Sequence, residues 1–74
     1  EIFPYPTNDV FCLKTLVPYN QLQVVVYDVL GSVVHEEIFN NQLKIDVSGW
    51  NSGNYIITVF NDNQLIQTGK LVVQ

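Results

Sequence analysis

Apolar and polar residues alternate with a period of two along almost the whole chain. In residues 43–47 Leu43, Ile45 and Val47 fall on one face, and Lys44 and Asp46 on the other. Successive side chains of an extended chain point to opposite sides, so this is the pattern of a strand with one buried face. Phe11 and Leu13, with Leu16 beyond them, alternate with Cys12 and Lys14 in the same way. Tyr55, Ile57 and Val59 interleave with Ile56, Thr58 and Phe60, which predicts a central strand covered on both sides. The runs 22–27 and 33–39 are rich in β-branched residues and flank Leu30-Gly31-Ser32, a hairpin turn by its composition. Both faces of 22–27 are apolar, so its inward register stays open; taking Val24 and Val26 inward, the predicted core is Phe11, Leu13, Val24, Val26, Ile45, Ile57, Val59 and Leu71.

Turn residues punctuate these runs about every ten positions: 4–9, 18–20, 40–41, 48–53 and 61–63 are built from Pro, Asn, Asp, Ser and Gly. Gly49, Gly53 and Gly69 are expected to relieve backbone strain at turns or a bulge. No stretch has a helical period, and there is no repeat. An open sheet of this composition would leave an apolar face in water. The expected fold is therefore all-β, an Ig-like antiparallel β-sandwich of six to seven short strands.

The length, 74 residues, allows one domain near the lower limit for folding without a metal or disulfides. A core of that size has no room for a deep catalytic pocket. Three Lys+Arg against seven Asp+Glu, a net charge of −4, offer no footprint for nucleic acid or an anionic membrane. The single Cys12 cannot form an internal disulfide. No apolar run approaches the roughly 20 residues of a transmembrane segment, and the first residues are not those of a signal peptide. The chain reads as a piece from the end of something longer.

Candidate chemistry is sparse. His35 and Glu37 share a strand face and offer two ligands or an acid–base pair, but two polar groups on a hairpin are ordinarily solvated surface. Cys12 has no base predictably near it. Asp9, Asp28, Asp46 and Asp62 lie in different turns or strand ends without the spacing of a calcium loop; Asp at a turn more often accepts bonds from nearby backbone N–H groups. Trp50, between two glycines, is expected to fold back over the end of the core. No metal, cofactor or catalytic residue is expected, and the chain is read as no enzyme.

Four segments carry a family likeness. Ile2-Phe3-Pro4-Tyr5-Pro6-Thr7, then residues 24–34 (Val-Val-Val-Tyr-Asp-Val-Leu-Gly-Ser-Val-Val), then 45–57 (Ile-Asp-Val-Ser-Gly-Trp-Asn-Ser-Gly-Asn-Tyr-Ile-Ile), then Gly69-Lys70-Leu71-Val72-Val73 occur in order across the chain. In this the chain resembles the type A C-terminal sorting domain of the type IX (Por) secretion system of Bacteroidetes. The family pattern near its start is Pro-Asn-Pro, where this chain has Pro4-Tyr5-Pro6; Tyr5 lacks the paired donor and acceptor of an amide, while the extended backbone before Pro6 is kept.

The resemblance implies a single C-terminal sorting domain over residues 1–74, detached from a larger cargo protein covalently linked before residue 1. It implies export of that cargo through the periplasm to the cell surface or outside. The partners would be an outer-membrane translocon and a cysteine-peptidase sortase that removes the domain and attaches the cargo to surface lipopolysaccharide. The residues implied in recognition are Pro4, Pro6, Asp28, Gly31, Gly53, Tyr55, Gly69 and Lys70. The displays this implies are the Pro-Tyr-Pro segment and the last strand with Lys70, either of which offers edge backbone groups for strand addition. The alternative is an Ig-like adhesive or carbohydrate-binding module with Trp50, Tyr19 and Tyr55 as stacking candidates.

Overall fold

The computed structural model describes residues 6–7, 10–14 and 21–74. Among them the chain forms only strands: β1 (Pro6–Thr7), β2 (Val10–Lys14), β3 (Leu22–Tyr27), β4 (Val33–Phe39), β5 (Gln42–Asp46), β6 (Gly53–Asn61) and β7 (Gln64–Val73). They make a five-stranded sheet in the order β1-β7-β6-β3-β4 and a two-stranded sheet of β2 and β5. The all-β sandwich read from the alternation is the fold found. One pairing departs from the antiparallel expectation. β1 runs parallel to β7, with Pro6 opposite Val72 and Thr7 opposite Val73. These two strands are separated by the whole domain, so no hairpin dictates their relative direction.

The sheets meet through the alternating residues. Phe11 and Leu13 of β2 and Leu43 and Ile45 of β5 pack with Val24 and Val26 of β3, Ile57 and Val59 of β6 and Leu71 of β7 in one cluster. All the residues expected inside are buried. Burying each such side chain contributes about 1.5–3 kcal/mol, one part of what offsets the entropy of ordering the chain. The open register of β3 is settled: Val24 and Val26 face the smaller sheet. Val25 points the other way, yet is only 7% exposed, because Glu36 and Thr58 flank it from β4 and β6.

β6 is central in the sheet, between β7 and β3, but its coverage on both sides is corrected. β2 and β5 supply the opposing layer on one face alone, so Ile56 on the other is exposed and Thr58 and Phe60 are half-buried.

The turns also distinguish the glycines. Gly53 has φ +148° and Gly31 φ +88°, conformations that favour glycine. Gly49 and Gly69 have no such φ, and Gly69 sits within β7 opposite Ile57, away from the irregular pairing at Val59/Phe60. Strain relief therefore belongs to Gly53 and Gly31, and not to Gly49 or Gly69. At the β6–β7 turn Asp62 (φ 52°) and Asn63 (φ 66°) both adopt the left-handed region, the conformation that matches a two-residue hairpin loop to the twist of its strands.

Candidate functional site

Segments far apart in sequence meet at one end of the five-stranded sheet. The β6–β7 register sets Gly53 opposite Val73, Asn54 opposite Val72 and Ile56 opposite Lys70. Ile56 also faces Tyr27, the last residue of β3, while Val72 faces Pro6 of β1. β1, the β3–β4 turn, the head of β6 and the tail of β7 thus lie side by side. Of the residues singled out from the family likeness, Pro6, Asp28, Gly31, Gly53, Tyr55, Gly69 and Lys70 all belong to this end; Pro4 lies outside the described residues.

These residues do different things there. The β3–β4 turn is closed by its own backbone: the Gly31 N–H donates to the Asp28 carbonyl and the Asp28 N–H to the Ser32 carbonyl, each at 3.0 Å. Asp28 Oδ1 accepts from the N–H groups of Leu30 (3.0 Å) and Ser32 (2.9 Å). Gly31 is the residue in the left-handed region that such a three-residue loop places before the returning strand. Asp46 does the same service at the end of β5, where its Oδ1 accepts from the Ser48 N–H at 3.0 Å. Hydrogen bonds from the Ser48 side chain and backbone hold its carboxyl below the ordinary carboxylate range, against a small opposing desolvation. The turn reading of these two carboxylates is thereby met.

Tyr55 is buried at 7% exposure on the inner face, and its hydroxyl donates to the Asn51 carbonyl at 2.6 Å. Trp50 packs on it with ring centroids 5.0 Å apart, against the core cluster, as expected of a residue folded back over the core end. His35 completes the aromatic row, its ring 6.2 Å from Trp50. Neither Tyr55 nor Trp50 is a free platform for a sugar, and Tyr19 is outside the described residues. The Asn51 carbonyl was not legible in the sequence as a partner, because a main-chain acceptor carries no residue signature.

Lys70 is the displayed charge of this end. It is exposed, in a row with Ile56 and Tyr27 on the outer face, and among the described residues no carboxylate lies within ion-pair distance of it. Lys70 is two residues from Val72, the partner of Pro6 in the parallel β1–β7 pairing. Elsewhere, His35 Nε2 lies 2.9 Å from Glu37 Oε1, the pair expected from their shared face. Cys12 is exposed on the smaller sheet opposite Lys44, on a different sheet from His35. A depression of about 210 Å³ between Gln23, Ile38, Phe60 and Asp62 lies at the far end of the larger sheet, away from the motif residues.

Comparison with known proteins bears on this arrangement. The family described as the secretion system C-terminal sorting domain matches residues 1–74. Searches of the curated proteins and of the solved structures found no match. No helix among the described residues is long and apolar enough to cross a membrane. With a match over its full length, the chain belongs to the family of type IX secretion C-terminal sorting domains, the labels of Bacteroidetes proteins exported to the cell surface or outside.

Proposed function

We propose that the export machinery reads this domain as a folded surface, the end of the five-stranded sheet around Lys70, and that the domain performs no reaction itself. The observation that carries the reading is the register: Lys70 lies beside Ile56 and Tyr27 on the outer face, next to the β1–β7 junction, exposed and without a carboxylate partner among the described residues. An unpaired cation in a half-apolar row costs nothing in core packing when it is displayed. It is available for charge-assisted bonds to a partner carboxylate. The linked cargo passes through the periplasm, an outer-membrane translocon carries it outward, and a cysteine-peptidase sortase then removes the domain and attaches the cargo to surface lipopolysaccharide.

A reporter fused ahead of residue 1 tests this. Lys70→Ala on an exposed strand position changes stability by about half a kcal/mol, so the domain stays folded. The Lys70→Ala fusion is expected to accumulate in the periplasm, and the wild-type and Lys70→Arg fusions to reach the surface. Normal surface delivery of a folded Lys70→Ala fusion would remove Lys70 from the address. Mass spectrometry of surface-delivered reporter, with and without the sortase activity, decides whether the domain is cleaved and lipopolysaccharide added.

A further inference from the structure

β4 closes the larger sheet on the side opposite β1 and β7, and among the described residues it pairs with β3 alone. Over its seven residues, alternate backbone N–H and C=O groups therefore face outward. Edges are ordinarily blunted by proline, by charged side chains, lysine above all, or by a bulge. β4 has no proline or lysine; its start is bulged and its charges are carboxylates. Its exposed side chains are instead apolar and acidic: Val33 and Val34 at the bulged start, Ile38 at 58% exposure near the end, and Glu36 and Glu37 between them. Glu36 is steadied on the outer face, where Gln23 Nε2 donates to its Oε2 at 2.7 Å. Glu37 is held on the inner face by His35 at 2.9 Å.

The carboxylates decide which strand fits this edge. A full-length antiparallel pairing with a second copy sets Val33 opposite that copy's Phe39, and therefore Glu36 opposite its own counterpart. Like charges directly opposite each other are destabilising, and a net charge of −4 on each copy adds to the repulsion. A strand with a cation opposite Glu36 and an apolar side chain opposite Ile38, two positions along on the same face, gains charge pairing and apolar contact together. We propose that the β4 edge is a docking site that takes, by strand addition, an extended segment of another protein that carries a cationic side chain with an apolar one two residues away on the same face. This goes beyond the sorting reading and does not depend on it, since β4 and Lys70 lie on different strands and binding is measured on the purified chain.

Two capped heptapeptides serve as probes, each with valine at the second and sixth positions and threonine at the odd ones, one carrying lysine and the other glutamate at the fourth, titrated into the isotope-labelled 74-residue chain and followed by amide NMR. The lysine peptide is expected to shift the amides of residues 33–39, to slow their hydrogen exchange, and to bind more weakly as salt rises; the glutamate peptide is expected not to bind. Glu36→Lys should weaken the lysine peptide roughly fivefold or more and admit the glutamate peptide. Glu36→Gln, which keeps an acceptor for Gln23, should fall between. The dispersed spectrum of each variant reports its folding directly. Equal binding of both peptides, shifts confined to β7, or unchanged preference in folded Glu36→Lys would overturn the proposal. Sedimentation showing a wild-type dimer joined through β4 would overturn it as well, by placing a second copy on the edge.

Discussion

The Tyr55 hydroxyl donates to the main-chain carbonyl of Asn51 at 2.6 Å, and this one bond pins the loop between β5 and β6 to the strand that follows it. Beside it, residues 47–53 are held by the Trp50 N–H to Val47 carbonyl bond, the Asp46–Ser48 turn and the burial of Val47 in the core. With the loop pinned, Trp50 lies over Tyr55 and closes the end of the core beneath the motif residues.

Tyr55→Phe keeps the ring packing and deletes the hydrogen bond. The expected loss is about 1 kcal/mol, which in a domain of this size lowers the Tm by roughly 4–8 °C. Trp50→Ala removes the ring itself and should cost more, about 2–4 kcal/mol for a partly buried aromatic. Thermal unfolding followed by circular dichroism checks both. A Tyr55→Phe variant as stable as wild type would show that the loop is held by packing alone.

Gly31 and Gly49 should respond oppositely to alanine. Nothing lies within 4 Å of a Cβ at either position, so space does not separate them. Backbone conformation does: Gly31 at φ +88° would force alanine into the left-handed region, at about 1–2 kcal/mol. Gly49→Ala carries no such strain and should be neutral or stabilising by up to about 1 kcal/mol through the unfolded chain. Denaturant midpoints of the two variants make the comparison.

Acid should reveal Asp46. Its carboxyl titrates lower in the fold than in the unfolded chain because Ser48 hydrogen-bonds to the charged form. Its contribution is therefore complete above the unfolded carboxylate value of about 3.9 and is lost as the pH falls through the lower folded value. Asp46→Asn cannot titrate, so the drop in denaturant stability between pH 5 and pH 3 should be smaller in this variant than in wild type. An identical drop would mean that other carboxylates account for the acid sensitivity.

Replacing calcium by EDTA should leave the Tm unchanged. Asp28 and Asp46 already direct Oδ1 at backbone N–H groups, and Asp62 lies in a third turn at the far end of β6. Among the described residues no three acidic, histidine or cysteine side chains are grouped to hold an ion. A ligand that binds only the folded state raises the Tm in proportion to its saturation. A calcium-dependent rise of several degrees would reveal a site outside these groups.

Much of this was legible in the sequence. Strict alternation of Leu43, Lys44, Ile45, Asp46 and Val47 decides the faces of β5 before any neighbour is known, because a strand has two sides and water accepts one of them. Asp28-Val29-Leu30-Gly31 specifies its turn locally, through a carboxylate within reach of the next amides and a residue free to adopt positive φ. Neither depends on distant contacts. Where a run was apolar on both faces, as at Val24, Val25 and Val26, alternation fell silent, and only the position of the opposing β2–β5 layer chose the inward side. The apolar residues of β6 suggested cover on two sides; two strands in the second layer supply it on one. Pairing across the chain was likewise a tertiary outcome. That Pro6 lies beside Val72, Lys70 beside Ile56, and β4 at an open edge depends on which distant strands come together, and hydrogen bonds between backbones carry no residue code to announce it in advance.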